Sequence, residues 1–401
     1  MIKNRDIIVL GIQAWDIEIG SNCKNIAFEF SKNNRVLYVN SPLDITTAIK
    51  KRNDPRVKKR KDIINGKADD LVELQANLWN LNPRTYLLSI NQLGNNLIFD
   101  FLNKINNNRF AKQIKSAIER LGFKDYIIFN DSDMFRSFYI KEILKPKTYI
   151  YYTRDNLVAV DYWKKQGLRT EANHMEKADF VCANSTYLAK LAQKFNPHSY
   201  YVGQGCDVSA FDASLFNEIP ADISNIKRPI IGYIGALLAL RLDIKVISEI
   251  AKEKPNWSIV LVGPEDSTFK NSKLHDFDNV HFLGNKNSDE LPAYLGAFDV
   301  AINPQLLSPV TIGNYPRKID EYLAMGKPTV ATKTEAMSVF ADYTYLAQNI
   351  EEYLEFIELA LKDNTAEKQN EKAFFARKHS WGNNVKDIYE LIEKFESGTL
   401  K

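Results

Sequence analysis

The chain has 401 residues, 45% hydrophobic and 26% charged, a globular composition that excludes a disordered or low-complexity protein. A single hydrophobic core stops growing near roughly 250–300 residues, so two domains are expected. The 53 basic and 50 acidic side chains leave a net charge of +3, without the concentrated basic excess of a nucleic-acid binder.

From the N-terminus, Met1–Asp6 is polar and no leader peptide is expected. Strands are predicted at Asp6–Leu10, Val36–Val39, Leu71–Leu74, Tyr126–Asn130, Thr148–Tyr152 and Phe180–Ala183. Helical patterns lie between them, among them Asn25–Lys32 and Arg109–Leu121. Most of these runs are too continuously apolar for one-sided antiparallel strands, so a parallel sheet with crossover helices is expected. The polar, irregular stretch Asp207–Lys227 reads as a linker. A second series begins at Arg228, with strands predicted at Pro229–Ile234, Trp257–Val262, Val280–Phe282, Val300–Asn303, Thr329–Ala331 and Thr344–Leu346. Its helices fit Leu242–Glu253, Ser288–Leu295, Pro316–Met325 and Ile350–Lys362. The fold class is therefore α/β, two Rossmann-like doubly wound parallel-sheet domains facing a cleft. A ligand is expected in that cleft.

The three cysteines, Cys23, Cys182 and Cys206, are widely spaced and the five histidines are scattered. That usage suits a reducing, cytoplasmic compartment and gives no metal-ligand spacing. The longest apolar run, Ile230–Leu240, has 11 residues, short of the ~18–20 of a membrane span. One stretch breaks the alternation: Lys50–Asp62, KKRNDPRVKKRKD, has eight basic residues in 13. It reads as a solvated, mobile loop, or as a contact through Lys50–Lys61 with an anionic surface such as the inner membrane face.

The most informative segment is Asn314–Thr332, NYPRKIDEYLAMGKPTVAT. Pro316 suits a first helical turn, Gly326 a left-handed C-terminal position, and Pro328 ends the helix. Arg317 and Lys318 then stand in the first turn, where cations oppose the helix dipole unless an anion sits there. Glu321 shares their face one turn deeper, placed to accept from hydroxyl groups. A surface helix with a plain Lys318–Glu321 pair is the alternative. In Pro229–Asp243, PIIGYIGALLALRLD, Gly235 permits close backbone approach and Arg241 precedes a helix that Asp243 caps. The turns VGPED (Val262–Asp266) and FLGNKN (Phe282–Asn287) also follow strands, VGPED reading as a tight connection. In the first half, GIQAWDIEIGSN brings Gly20 before a helix, and YTRDN brings Arg154 and Asp155 after a strand. His174 reads as structural.

The order of these pieces resembles the retaining family 4 glycosyltransferases of the glycosyltransferase-B fold. The most specific segments are NVHFLGNKNSDELPAYLGAFDVAINP and PRKIDEYLAMGKPTVAT. GYIGALLALRLD and WSIVLVGPED support them, as do ADFVCANSTYLAKL, GCDVSAF and the final HSWGNNVKDIYELIEKF. Among subgroups the chain is most similar to enzymes of bacterial surface polysaccharide assembly, the teichuronic acid type included.

The resemblance implies a metal-independent, retaining hexosyltransferase with no tightly bound cofactor. Its donor would be a nucleotide-diphosphate sugar, with UDP or GDP as the nucleotide, and its acceptor a glycan or lipid-linked molecule. It implies domains at 1–206 (acceptor), 207–227 (linker) and 228–380 (nucleotide sugar), with 381–401 a helix returning to the first. Glu321 matches the second glutamate of the family's Glu-x7-Glu motif, on the ribose. Lys318 and Arg241 match the basic residues on the diphosphate, and with Asp155 they are the candidate catalytic groups. Gly235, Gly284, Asn285, Lys286, Gly313, Asn314, Tyr315 and Arg317 are candidate donor contacts, and Gly20 and Arg154 candidate acceptor or cleft-wall residues. The first glutamate of the motif would fall at Gly313, and the cleft-wall histidine of many members is replaced by YTRDN. Those departures keep two alternatives in view, a sugar-nucleotide epimerase on the same fold and an inactive nucleotide-binding partner of a transferase.

Overall fold

The computed structural model describes residues 2–17, 21–215 and 218–400. The chain forms two compact units, Met1–Gly203 with Trp381–Lys401, and Gln204–Ser380.

The first unit holds β1 (Asp6–Gly11), β2 (Arg35–Asn40), β3 (Leu43–Asp44), β4 (Leu71–Gln75) and β5 (Leu78–Leu81). It continues with β6 (Tyr86–Leu87), β7 (Ile127–Asp131), β8 (Thr148–Thr153), β9 (Phe180–Ala183) and β10 (Ser199–Tyr201). Eight strands form one sheet in the order β10-β9-β8-β7-β1-β2-β5-β4, and β3 pairs with β6 apart from it. Strand order reverses between β1 and β7. In β1, Ile7 and Val9 enter one core and Ile8 and Leu10 the other, so both faces are covered, as a doubly wound sheet requires. The sheet is parallel except at one edge, where β4 runs antiparallel to β5. Only Ala76 and Asn77 connect them, too few for a crossover, and Asn77 takes the left-handed turn at φ 66°.

The helix Trp381–Glu396 buries Trp381, Val385, Ile388, Tyr389 and Ile392 at helical spacing against Phe30 of the helix Asn22–Ser31. Tyr389 stacks on Phe30 at 5.5 Å, and Arg5 grips Glu396 through both terminal nitrogens, at 3.0 and 2.8 Å. This region of the sequence therefore completes the first core.

The second unit has β11 (Ile230–Ile234), β12 (Ser258–Val262), β13 (Val280–Gly284), β14 (Val300–Asn303), β15 (Thr329–Thr332) and β16 (Tyr345–Ala347). They form a six-stranded, all-parallel sheet in the order β13-β12-β11-β14-β15-β16, reversing between β11 and β14. Apolar clusters again cover both faces. The carboxyl end of β11 thus stands at the switch point where α/β sheets bind ligands.

The basic run Lys50–Asp62 is not a loop. It closes the helix Ile45–Lys50 and forms most of the helix Pro55–Ile64, with Asp54 accepting from the Arg56 amide at 2.8 Å and Pro55 in the first turn. Only Val57 and Ile63 of that helix are buried, so its apolar stripe is too thin to show through the charges. No helix among the described residues is long and apolar enough to cross a membrane.

Candidate functional site

Three neighbouring strands of the second unit end in glycine. Gly235 follows β11 at φ 141°, Gly263 follows β12 at 148°, and Gly284 closes β13 at 68°. Gly235 N–H donates to Val262 at 2.9 Å and Gly263 N–H to Gly284 at 2.8 Å, so the strand ends are laced together. A Cβ on Gly263 would lie 2.0 Å from the Gly235 carbonyl oxygen, so only glycine fits. The result is a floor of bare backbone at the carboxyl edge of the sheet.

The helix Arg317–Ala324 stands against this floor. Its buried face carries Ile319, Tyr322 and Leu323, and the Tyr322 hydroxyl accepts the Ile234 N–H at 3.0 Å. Pro316 is the capping residue rather than part of the first turn, and Gly326 takes the expected left-handed position at φ 68°. Lys318 lies across the Tyr233 ring, Nζ 5.0 Å from its centre, and its Cε comes within 3.3 Å of where a Gly235 Cβ would stand. Among the described residues Lys318 and Glu321 form no direct salt bridge, so the plain surface pair is not what the helix carries.

Two adjacent carboxylates on this helix have different surroundings. Asp320 is fully buried and accepts from the Tyr315 hydroxyl at 2.9 Å, and it pairs with His379 Nδ1 at 2.6 Å. Glu321 has no hydrogen-bond partner among the described residues. Burial pushes its carboxyl above the ordinary value, against the pull of Arg317 and Lys318.

Arg241 is exposed and without an ion pair among the described residues. Its carbonyl accepts from Leu306 at 2.9 Å and the next residues bond to Pro304 and Gln305, which ties this turn to the end of β14. Asp243 caps the following helix through the Lys245 and Val246 amides. The loop carrying Gly313, Asn314 and Tyr315 is pinned by Gln305 on Thr311 at 2.8 Å and by Tyr315 on Asp320. The Asn314 Oδ1 is buried without a partner. Gly284 and Asn285 are exposed, whereas Lys286 pairs with Asp222 at 2.6 Å and lies over the Tyr294 ring. The VGPED turn is a connection, with Asp266 capping the next short helix.

In the first unit, Arg154 lies just past β8 and bonds Asp131 at 2.8 Å and Asp155 at 2.9 Å. Asp131 ends β7 and is fully buried, and its charge above all raises the Arg154 pKa further. Both predicted residues, Arg154 and Asp155, are thus engaged in one ion-pair network at the β1/β7 edge. Gly20 lies outside the described residues. His174 is buried, 2.7 Å from the Tyr149 hydroxyl, and desolvation lowers its pKa to about 3, which keeps it neutral. Sequence reasoning missed Asp131, whose signal was its place at a strand end, and the Tyr315–Asp320–His379 cluster, whose members lie up to 64 residues apart. Among the described residues no group of three or more His, Cys, Asp or Glu side chains is arranged to hold a metal ion.

Residues 228–363, which contain the glycine floor and the Arg317–Ala324 helix, match the family model "Glycosyl transferases group 1". The matched residues all lie in the second unit. A Bacillus subtilis (strain 168) protein, TuaH, named for a glycosyltransferase of teichuronic acid biosynthesis, is 29% identical over 193 residues. That match covers 46% of this chain and 48% of TuaH, about half the length of the relative. Solved structures share the fold over nearly the whole chain. Sucrose-phosphate synthase from Thermosynechococcus elongatus superposes with a TM-score of 0.62 at 15% identity, covering 98% of this chain and all of its own. Anabaena HepE, in complex with UDP and glucose, gives 0.61 at 14%, covering 98% and 100%. The trehalose 6-phosphate synthase of Burkholderia multivorans gives 0.66 at 9%, covering 99% of each chain. The α/β fold of the chain is shared with these structures.

Proposed function

We infer that the chain is a glycosyltransferase that moves a sugar, with retained anomeric configuration, from a nucleoside-diphosphate donor to a glycan or lipid-linked acceptor in surface polysaccharide synthesis. The observation that carries this reading is Glu321, a half-buried carboxylate with no partner among the described residues, on the same helix as Lys318, whose Cε packs on Gly235. A carboxylate that no side chain engages is open to donors from outside, and ribose hydroxyls would supply them. The group 1 domain and the UDP in HepE support UDP as the nucleotide.

In this reading Lys318, Arg241 and Arg317 meet the diphosphate, and Gly235 and Gly284 let it approach the backbone. Gly313, Asn314 and Tyr315 face the sugar, Asn285 and the Lys286 backbone the base, and Arg154 and Asp155 the acceptor. Negative charge builds on the diphosphate as the glycosidic bond breaks, and fixed cations stabilise it without reorganisation. The acceptor hydroxyl supplies the new bond and its proton leaves toward the departing phosphate oxygen or a neighbouring base. The five cations Lys50, Lys51, Arg52, Lys58 and Lys61, unpaired among the described residues, would hold the chain at the anionic cytoplasmic face of a membrane.

Two variants test the site. Lys318→Ala is expected to lower turnover about 10²–10³-fold. Glu321→Ala is expected to weaken UDP binding about 10- to 100-fold, the worth of a charged hydrogen bond. Near-normal turnover in the first and unchanged UDP affinity in the second would remove these roles.

A further inference from the structure

The cluster Tyr315–Asp320–His379 buries charge where packing alone needs none. The helix Arg317–Ala324 turns Ile319, Tyr322 and Leu323 into the core, and Asp320 is as fully buried as they are. Burial raises its carboxyl above the ordinary value, against His379 and Tyr315, which favour the charged form. Replacing a buried ion pair by apolar side chains of similar volume is often neutral or stabilising. What apolar side chains lack is direction. Both Asp320 oxygens are engaged: Oδ2 accepts from the Tyr315 hydroxyl at 2.9 Å, and Oδ1 stands 2.6 Å from His379 Nδ1.

We propose that Asp320 and His379 are positioning residues for the donor sugar, acting through Tyr315 on the loop Gly313–Tyr315. The sugar as ligand rests on the function inferred above; the linkage rests on the cluster.

His379 is itself held on several sides. It lies just past the helix Ala366–Arg377, and its ring stands edge-on to Phe375 at 4.6 Å and to Phe340 at 5.9 Å. Its N–H donates to Ala376 at 3.0 Å and its carbonyl accepts from Cys206 at 2.8 Å. Nδ1 therefore presents its hydrogen bond from a fixed point. Asp320 passes that fix to Tyr315, whose ring also packs on Phe340 at 5.2 Å. Tyr315 directly precedes Pro316, the cap of the helix that carries Lys318 and Glu321. One carboxylate thus sets the loop against the helix.

The loop depends on being set. It brings no carboxylate of its own, since glycine stands at 313. The Tyr315 hydroxyl is spent inward on Asp320. Backbone and the short Asn314 side chain remain for the sugar. Asn314 N–H donates to Thr311 at 3.0 Å, and its Oδ1 is buried without a partner. Contacts from so short a reach are sensitive to placement, and an error of about 1 Å can cost roughly 10²-fold.

Calorimetric titration of the full chain with UDP, UDP-glucose, UDP-galactose, UDP-N-acetylglucosamine and UDP-glucuronate tests this. The parent is expected to prefer one sugar by roughly 10-fold or more, as a hydrogen-bonding site does. His379→Leu removes the donor to Asp320. It is expected to cut that preference to about 2-fold, while UDP affinity stays within about 2-fold of the parent's. His379→Asn places a side-chain N–H close to the Nδ1 position and is expected to restore most of the preference. Tyr315→Phe keeps the ring on Phe340 and the Asp320–His379 pair, so the fold is spared, and it is expected to lose the preference as His379→Leu does. A preference unchanged in His379→Leu and Tyr315→Phe overturns the proposal. So does a loss of UDP and UDP-sugar affinity together, the mark of a cluster that only supports the fold. A parent that binds UDP without telling the sugars apart overturns the sugar role and leaves the UDP reading standing. A parent that binds none of the five overturns that reading and this role with it.

Discussion

Asp320 and Glu321 are neighbours of the same acidic type on one helix, and their partners separate their tasks. Asp320 is saturated by Tyr315 and His379 and holds the loop Gly313–Tyr315 in place. Glu321 has no hydrogen-bond partner among the described residues. From sequence only the helical face of Glu321 is legible, because Asp320's partner His379 comes from far along the chain. The same limit hides the fate of Arg154, whose main partner Asp131 is 23 residues away. A residue outside the site gives an independent test of burial. Glu171 is buried and accepts from Tyr151 at 3.0 Å, and desolvation raises its carboxyl from 4.5 to about 7. A raised carboxyl favours the folded state fully below the unfolded value and loses that contribution as pH climbs through the folded one. At about 1.4 kcal/mol per pH unit the loss between pH 4.5 and 7 is roughly 3 kcal/mol. Glu171→Gln keeps the hydrogen bond and cannot ionise. Urea unfolding at pH 5 and pH 8 is expected to show the variant gaining on the parent by about that amount at pH 8. Parallel profiles would show that Glu171 does not titrate in this range.

Elements are legible in the sequence where one signal dominates. The strands that line the middle of both sheets are continuous β-branched and aromatic runs, and that continuity marks them. The helix Ile350–Lys362 is readable to its ends, with Asn349 capping it. The two-residue β3 and β6 offer no period to read, and β10 is three residues long. The helix Pro55–Ile64 looks like a loop in sequence because charge swamps its two buried residues. Its ordering makes a sharper prediction than a loop would. Lys58 and Lys61 stand on a fixed scaffold, whereas Lys59 and Arg60 are tied to Asp16 at 3.2 and 2.7 Å. Replacing Lys58 and Lys61 by glutamine is expected to weaken co-sedimentation with phosphatidylserine vesicles roughly 30-fold, at about 1 kcal/mol per lysine. Replacing Lys59 and Arg60 should disturb folding more than binding. Equal vesicle binding by the Lys58/Lys61 variant and the parent would refute a role for these lysines at membranes.

At the scale of the whole molecule, each of the two doubly wound units has a switch point, β1/β7 in the first and β11/β14 in the second. The alternation of strand and helix patterns along the chain is enough to announce both units. What alternation cannot announce is which polar groups are already satisfied, and that distinction separates a binding site from a network. In the second unit Glu321 has no hydrogen-bond partner among the described residues, Lys318 packs on the glycine end of β11, and Arg241 follows that strand without an ion pair among the described residues. The central claim is that a nucleoside diphosphate completes them. Thermal unfolding of the full chain with UDP, GDP, ADP and their common sugars, each with and without EDTA, tests it most directly. A nucleotide at about a hundred times its dissociation constant adds about 2.7 kcal/mol of stability. The account predicts such a stabilisation with the UDP series, unchanged by EDTA and cut to roughly 0.4–1.4 kcal/mol in Glu321→Ala at the same nucleotide concentration. No stabilisation by any nucleotide would contradict it, for the transferase and for an inactive nucleotide-binding partner alike.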